Sequence, residues 1–176
     1  MNMGLLMLTA MAALSFTACN SDTDNDDGDD ANLKLTLAYQ YEVSQDVLDL
    51  YDVKITYLLP DGTTKSETMS STEWNKSSEL TTYPVNCGFK VTFTRNGKAM
   101  SKEKYDITLI PLILAYQLND DDSYNVAIKP SLPQVSTMGI KASSVEGVYN
   151  NYTISYTYKI SHDNGSFSIN PVSIDL

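Results

Sequence analysis

From Leu33 to Val43 every second residue is apolar, and this constrains the chain more than any other feature. Leu33, Leu35, Leu37, Tyr39, Tyr41 and Val43 alternate with Lys34, Thr36, Ala38, Gln40 and Glu42. Successive strand side chains point to opposite faces, so the pattern predicts a long strand with one buried face. The period recurs. Val53, Ile55, Tyr57 and Leu59 run into Pro60-Asp61-Gly62, whose Pro and Gly preset a tight turn, and the chain returns through Thr63 to Ser70. Cys87, Phe89, Val91 and Phe93 line the next inner face before Asn96-Gly97, a strong hairpin signal. Tyr105 to Gln117 is apolar on both faces at its centre, as suits a covered strand, but Pro111 calls for a bulge or an edge there. Tyr124, Val126 and Ile128 form a short strand. Tyr152, Ile154, Tyr156, Tyr158 and Ile160 form another, which turns at His162 to Gly165 and returns from Ser166 to Ile174.

Ser44 to Leu50 is the one expected helical turn, with Ser44 as its cap and Asp46 favouring its positive end. Residues 131–149 have weak periodicity and read as a crossover between sheets. About eight short strands within residues 31–176 predict a single all-β domain, an antiparallel Ig-like β-sandwich, with a small β-barrel as the alternative.

The opening residues have another character. Residues 1–18 carry no charged side chain and hold the apolar run Gly4 to Ala18, the length of a signal-peptide core and short of the ~20 residues of a spanning helix. No Lys or Arg precedes that run, so a start upstream of Met1 is expected. Phe16-Thr17-Ala18-Cys19 resembles the lipobox of bacterial lipoproteins. The resemblance implies a signal peptide over 1–18 and a lipidated cysteine at Cys19, anchoring the protein to a membrane without spanning it. A conventional secreted signal peptide with an incidental cysteine is the alternative.

Asn20 to Asp30 contains six aspartates and no hydrophobe, so residues 19–30 read as a lipidated cysteine followed by an acidic, disordered tether. Removing those six charges from the net −10 leaves −4 for residues 31–176, so most of the acidity lies in the tether. With 22 Asp+Glu against 12 Lys+Arg and no basic run, nucleic acid is excluded as a partner. Asp22, Asp24 and Asp26 imitate the start of an EF-hand loop, but Asp27 stands where that loop needs Gly and Leu33 where it needs Glu, so the stretch reads as solvated tether. Ser followed by acidic residues after a lipobox resembles the surface-export signal of Bacteroides-type outer-membrane lipoproteins, which implies an outer-membrane, cell-surface location. The run Val43 to Leu50, then Asp61-Gly62, Trp74 and Gly88 to Phe93, is similar to small β-rich Bacteroides lipoproteins of unassigned function. That likeness implies a fold and a location and supplies no activity.

Catalytic constellations are weak. Serine nucleophiles need a base, and the single histidine, His162, lies in an expected turn where polar residues serve the backbone. Cys87 is the only cysteine besides Cys19, alternates in step with Phe89 and Val91, and reads as a buried inert thiol. Zinc has no ligand set. The acidic residues are scattered, and Asp120-Asp121-Asp122 reads as a solvated loop tip. No enzymatic activity, metal or cofactor is therefore expected.

Twelve tyrosines against four phenylalanines and one tryptophan are the unusual feature of the composition. Tyr39, Tyr41, Tyr57, Tyr124, Tyr152, Tyr156 and Tyr158 fall on expected core faces. Trp74, Tyr51, Tyr83, Tyr116 and Tyr149 fall in or beside expected turns, where aromatic faces can stack on sugar rings. They are the candidate ligand-binding residues, although an aromatic at a strand end also packs a core. The expected function is that of a cell-surface binding module for glycans or other extracellular ligands. The alternative is a structural or adhesive surface protein whose partner is another protein. An exposed aromatic groove favours the first, a flat apolar patch or an open edge strand the second.

Overall fold

The structure is a computed structural model, and it describes residues 34–119, 123–148 and 152–176. The expected signal peptide, Cys19, the acidic tether, Asp120 to Asp122 and Tyr149 lie outside the described residues. Among the described residues no helix is long and apolar enough to cross a membrane.

Two antiparallel sheets face each other. The first is ordered β4 (Glu73–Leu80), β1 (Leu35–Val43), β6 (Lys104–Leu118) and β7 (Tyr124–Ile128), with β8 (Val135–Lys141) also paired to β6. The second is ordered β10 (Ser166–Pro171), β9 (Thr153–Asp163), β5 (Val85–Arg95), β2 (Tyr51–Leu58) and β3 (Thr64–Thr68). Among the described residues no strand pairing joins the two sheets, so the fold is a β-sandwich and not a closed barrel. β1 shows the predicted alternation along its whole length, with Leu35, Leu37, Tyr39, Tyr41 and Val43 buried.

An aromatic cluster crosses between the sheets. Phe89 of β5 lies 5.7 Å from Tyr39, 5.9 Å from Tyr41, 6.0 Å from Trp74 and 5.4 Å from Tyr156, ring centre to ring centre. Edge-to-face and tilted contacts of this kind add to plain area burial. Tyr39 also spans the layers through its hydroxyl, which donates to the Leu58 carbonyl at 3.1 Å and accepts from the Gly88 amide at 2.9 Å. Gly88 has φ +145° and lies against β9, where a Cβ would stand 2.2 Å from the Tyr156 carbonyl oxygen. Only glycine fits there. Burial pushes the neighbouring Cys87 thiol up to about 12, the inert state expected of it.

Several local expectations are corrected. Asn96-Gly97 closes no hairpin: β5 and β6 belong to different sheets, and the loop carries the chain between them. Ser44 does stand at the N-terminus of α1 (Gln45–Leu50), but it does not cap the helix. Its hydroxyl donates to the Asp106 carbonyl and accepts from the Thr108 amide, tying α1 to β6. The stretch from residue 131 does lead from the first sheet to β9 of the second, as expected of a crossover, but it holds β8 and α2 (Ala142–Val148) on the way. β4 was hidden because only its ends, Trp74 and Leu80, are buried, and four polar residues plus Lys76 lie between them. Tyr124 is only half-buried and Tyr152 is 42% exposed, so neither belongs to the core.

Two other turn signals hold. Pro60 to Gly62 turns β2 into β3, with Asp61 Oδ1 accepting from the Thr63 amide at 2.8 Å. Asn164 and Gly165, both at positive φ, turn β9 into β10, the requirement of a type I′ hairpin. Pro111 sits where its missing N–H costs least. β8 pairs β6 up to Leu109 and β7 pairs it from Ala115, so Pro111 falls in the gap between these two partners.

Candidate functional site

The sandwich has two ends of different character, and the direction of β1 defines them. At the first end β1 begins, with Leu35 opposite Leu80 and Thr36 opposite Tyr116. At the second β1 ends and α1 follows. Nine residues of strand, at ~3.3 Å each, separate the two by ~30 Å.

A cleft of about 440 Å³ opens at the second end. Gln45, Leu48 and Asp49 of α1 form one wall, the start of β2 contributes Tyr51 and Asp52, and Met69, Ser70, Asn96 and Lys98 come from the loops that follow β3 and β5. The size lies within the range of small-molecule sites. Its lining is mostly polar, with Leu48 and Met69 among its apolar members.

The walls are fixed by a network behind them. Short helices leave their last carbonyls unsatisfied, and here those carbonyls are taken up by the β5–β6 loop. Arg95 Nη1 donates to the Leu50 carbonyl at 2.6 Å and Nη2 to the Lys98 carbonyl at 2.8 Å, while Asn96 Nδ2 donates to the Asp49 carbonyl at 3.1 Å. The guanidinium carbon of Arg95 also lies 5.5 Å from the Tyr51 ring centre. On the far side of α1, Asp46 pairs with Lys102 and accepts from the Asp106 amide at 2.7 Å. Burial alone would raise the Asp46 carboxyl, but the Lys102 hydrogen bond, the Asp106 amide and the Lys102 charge outweigh it and hold it below the usual range. Inside the cleft, Gln45 Nε2 donates to Asp49 Oδ1 at 2.9 Å.

The four aromatic candidates among the described residues do not converge. Trp74 is 7% exposed, and its ring lies 5.3 Å from that of Tyr57. Its Nε1–H donates to Glu67 Oε2 at 3.0 Å; Tyr57 donates to Glu67 Oε1 at 3.0 Å, and Lys76 pairs with the same oxygen. Trp74 thus closes the core between the edge strands β3 and β4. Tyr51 is 2% exposed and its hydroxyl donates to the Val145 carbonyl at 2.9 Å. Its ring is core, though the residue borders the cleft. A buried ring has no free face to offer a sugar, so neither residue is a stacking platform. Tyr83 and Tyr116 are half-buried at the opposite end. Tyr83 packs on Phe167 at 5.3 Å with His162 beside both, and Tyr116 meets Tyr124 edge-on at 5.5 Å.

Sequence reasoning missed Gln45, Asp49, Asp52, Ser70, Asn96 and Lys98. Gln45 and Asp49 belong to the short α1, Asp52 to the start of β2, and Ser70, Asn96 and Lys98 to loops, so none is placed by a periodicity; the Asn96-Gly97 signal marked the loop but misassigned it to a hairpin. No group of three or more metal-ligating side chains occurs among the described residues. Compared with protein-family models, curated proteins and solved structures, the chain matches none of them.

Proposed function

We propose that the protein is a lipid-anchored, cell-surface binding module without catalytic activity, and that the cleft beside α1 holds a short glycan. The observation that carries this reading is the placement of the cleft at the end of the sandwich opposite the start of β1. A chain tethered through Cys19 approaches the domain at the first end, which turns the second toward the surroundings. The lining supports a polyhydroxylated ligand. Asp49 and Asp52 accept hydrogen bonds, Lys98 donates, Ser70 does both, and the apolar side chains of Leu48 and Met69 suit the apolar face of a sugar ring. Signal peptide, outer-membrane location and lipidation rest on residues 1–30 and their likeness to surface lipoproteins.

The mature chain on a glycan array tests the reading, with Asp52→Ala/Lys98→Ala as its partner variant. A bound glycan whose affinity falls at least tenfold in the variant, at unchanged melting temperature, is expected. Binding that ignores the double substitution, or no bound glycan at all, refutes the cleft.

A further inference from the structure

At the first end, the hairpin of β6 and β7 exposes an apolar surface that no part of the cleft reading uses. Tyr116 lies opposite Val126 and Leu118 opposite Tyr124. Partners directly across a ladder share a face, and so do residues two apart, so all four side chains stand on one face of the sheet. That face is the outer one: Ala115, one step before Tyr116, is buried with its partner Ile128, and the register shift between Ala115 and Tyr116 sets Val126 opposite Tyr116 on the exposed side. Leu118 is 59% exposed and Val126 49%, both large for isolated aliphatic side chains, and the Tyr116–Tyr124 pair borders them. Tyrosine at the margin of an apolar patch is the side chain favoured at a membrane–water boundary, its ring in the apolar layer and its hydroxyl in the polar one.

The chain itself says what covers this surface. Thr36 of β1 pairs with Tyr116, so the polypeptide coming from Cys19 reaches the domain beside the patch. Only fourteen residues separate Cys19 from Lys34, a reach of at most ~50 Å. With Cys19 in the bilayer, the patch is confined within about two sandwich lengths of the headgroups, a high effective concentration for even a weak contact.

We propose that Tyr116, Leu118, Tyr124 and Val126 seat the domain on the lipid surface that holds its anchor, leaving the α1 end outward. The proposal rests on the reading of Cys19 as lipidated. The contact is apolar, because a chain of net charge −10 is repelled by an anionic surface.

The test uses the mature lipidated chain on zwitterionic phosphatidylcholine vesicles, with a photoactivated carbene probe dissolved in the lipid phase and labelling mapped by mass spectrometry. Vesicle flotation reports the anchor separately. Labelling of Leu118, Tyr124 and Val126 at least tenfold above that of Leu48 and Met69 in the cleft is expected, as is loss of Tyr124 labelling in Leu118→Asp/Val126→Asp. Those two side chains lie outside the core, so the variant keeps its fold, and an unchanged melting curve checks this. Flotation without labelling of the patch overturns the seating and leaves the anchor standing. Failure to float overturns both. Labelling that is stronger on phosphatidylglycerol vesicles overturns the apolar basis. Protection of the patch that grows with concentration in the lipid-free Cys19→Ala chain assigns it to a second copy and overturns the proposal.

Discussion

Trp74→Ala discriminates between a core and a ligand-binding role for this residue, and the structure fixes its expected size. The indole is buried against Tyr57 at 5.3 Å and Phe89 at 6.0 Å, in the cluster that joins the two sheets. Truncating a buried aromatic to alanine costs about 3–5 kcal/mol, because transfer and cavity terms add. The lost N–H is the smaller part of this, since Glu67 is half-exposed and keeps Lys76 and Tyr57 as partners. The two changes therefore separate. Trp74→Phe retains an aromatic ring and loses the hydrogen bond, for about 1 kcal/mol of hydrogen-bond energy plus a smaller packing loss. Trp74→Ala should lower Tm by roughly 10–15 °C, taking ~2–4 °C per kcal/mol for a domain of this size. Differential scanning calorimetry on both variants, with urea titration for the free energies, measures the contrast. A Trp74→Ala protein that melts within ~3 °C of the wild type would refute the core assignment, since the aromatic packing would then contribute under about 1 kcal/mol. Loss of glycan affinity in that same stable protein would return Trp74 to the binding surface.

Gly88→Ala should be among the most destabilising single changes in β5, because the added methyl meets the Tyr156 carbonyl oxygen at 2.2 Å and the φ of +145° disfavours any side chain; circular dichroism that shows native melting would refute it. Cys87 should resist maleimide in the native protein and react on denaturation, and rapid native labelling would place it outside the core. Asp46 is held below the usual carboxyl range, so its contribution to stability is fully present above the unfolded value near ~4 and is lost as pH falls through the folded value. The stability gap between wild type and Asp46→Asn, measured by urea unfolding, should therefore narrow as pH drops from 7 toward 3; a gap that widens would refute the pairing with Lys102.

What was legible in the sequence follows from what imposes periodicity. Leu35 to Val43 alternate because one face meets a core and the other does not, and the structure returns that alternation residue by residue. β4 carries the same geometry without the signal. As an edge strand it buries only Trp74 and Leu80, so its middle is free to be polar and its tryptophan looked isolated. The Asn96-Gly97 error has a different origin. Gly97 does take the positive φ such a pair provides, but the turn chemistry is local and does not say whether the next strand pairs with the last or crosses to the other sheet. Asn96 is engaged in α1 instead, which no nearest-neighbour pattern reports.

The same distinction explains why the cleft residues escaped notice while the core did not. An aromatic side chain is informative in sequence only when its period places it, and Trp74 and Tyr51 sit where the period breaks: one near the start of a polar edge strand, one at the junction of α1 and β2. Both looked free for that reason, and both are buried, because the margins of a sandwich core need large side chains to close them. The cleft beside them is lined by the residues those margins leave over. Asp49 and Lys98 are held by the bonds of Arg95 and Asn96, Asp52 by the pairing of β2 with β5, and Ser70 by its place after β3, not by any pattern of their own. Ligand chemistry at such a rim can therefore change without disturbing the fold, whereas substitutions of Arg95 or Asn96 alter the shape of the cleft without touching its lining carboxylates.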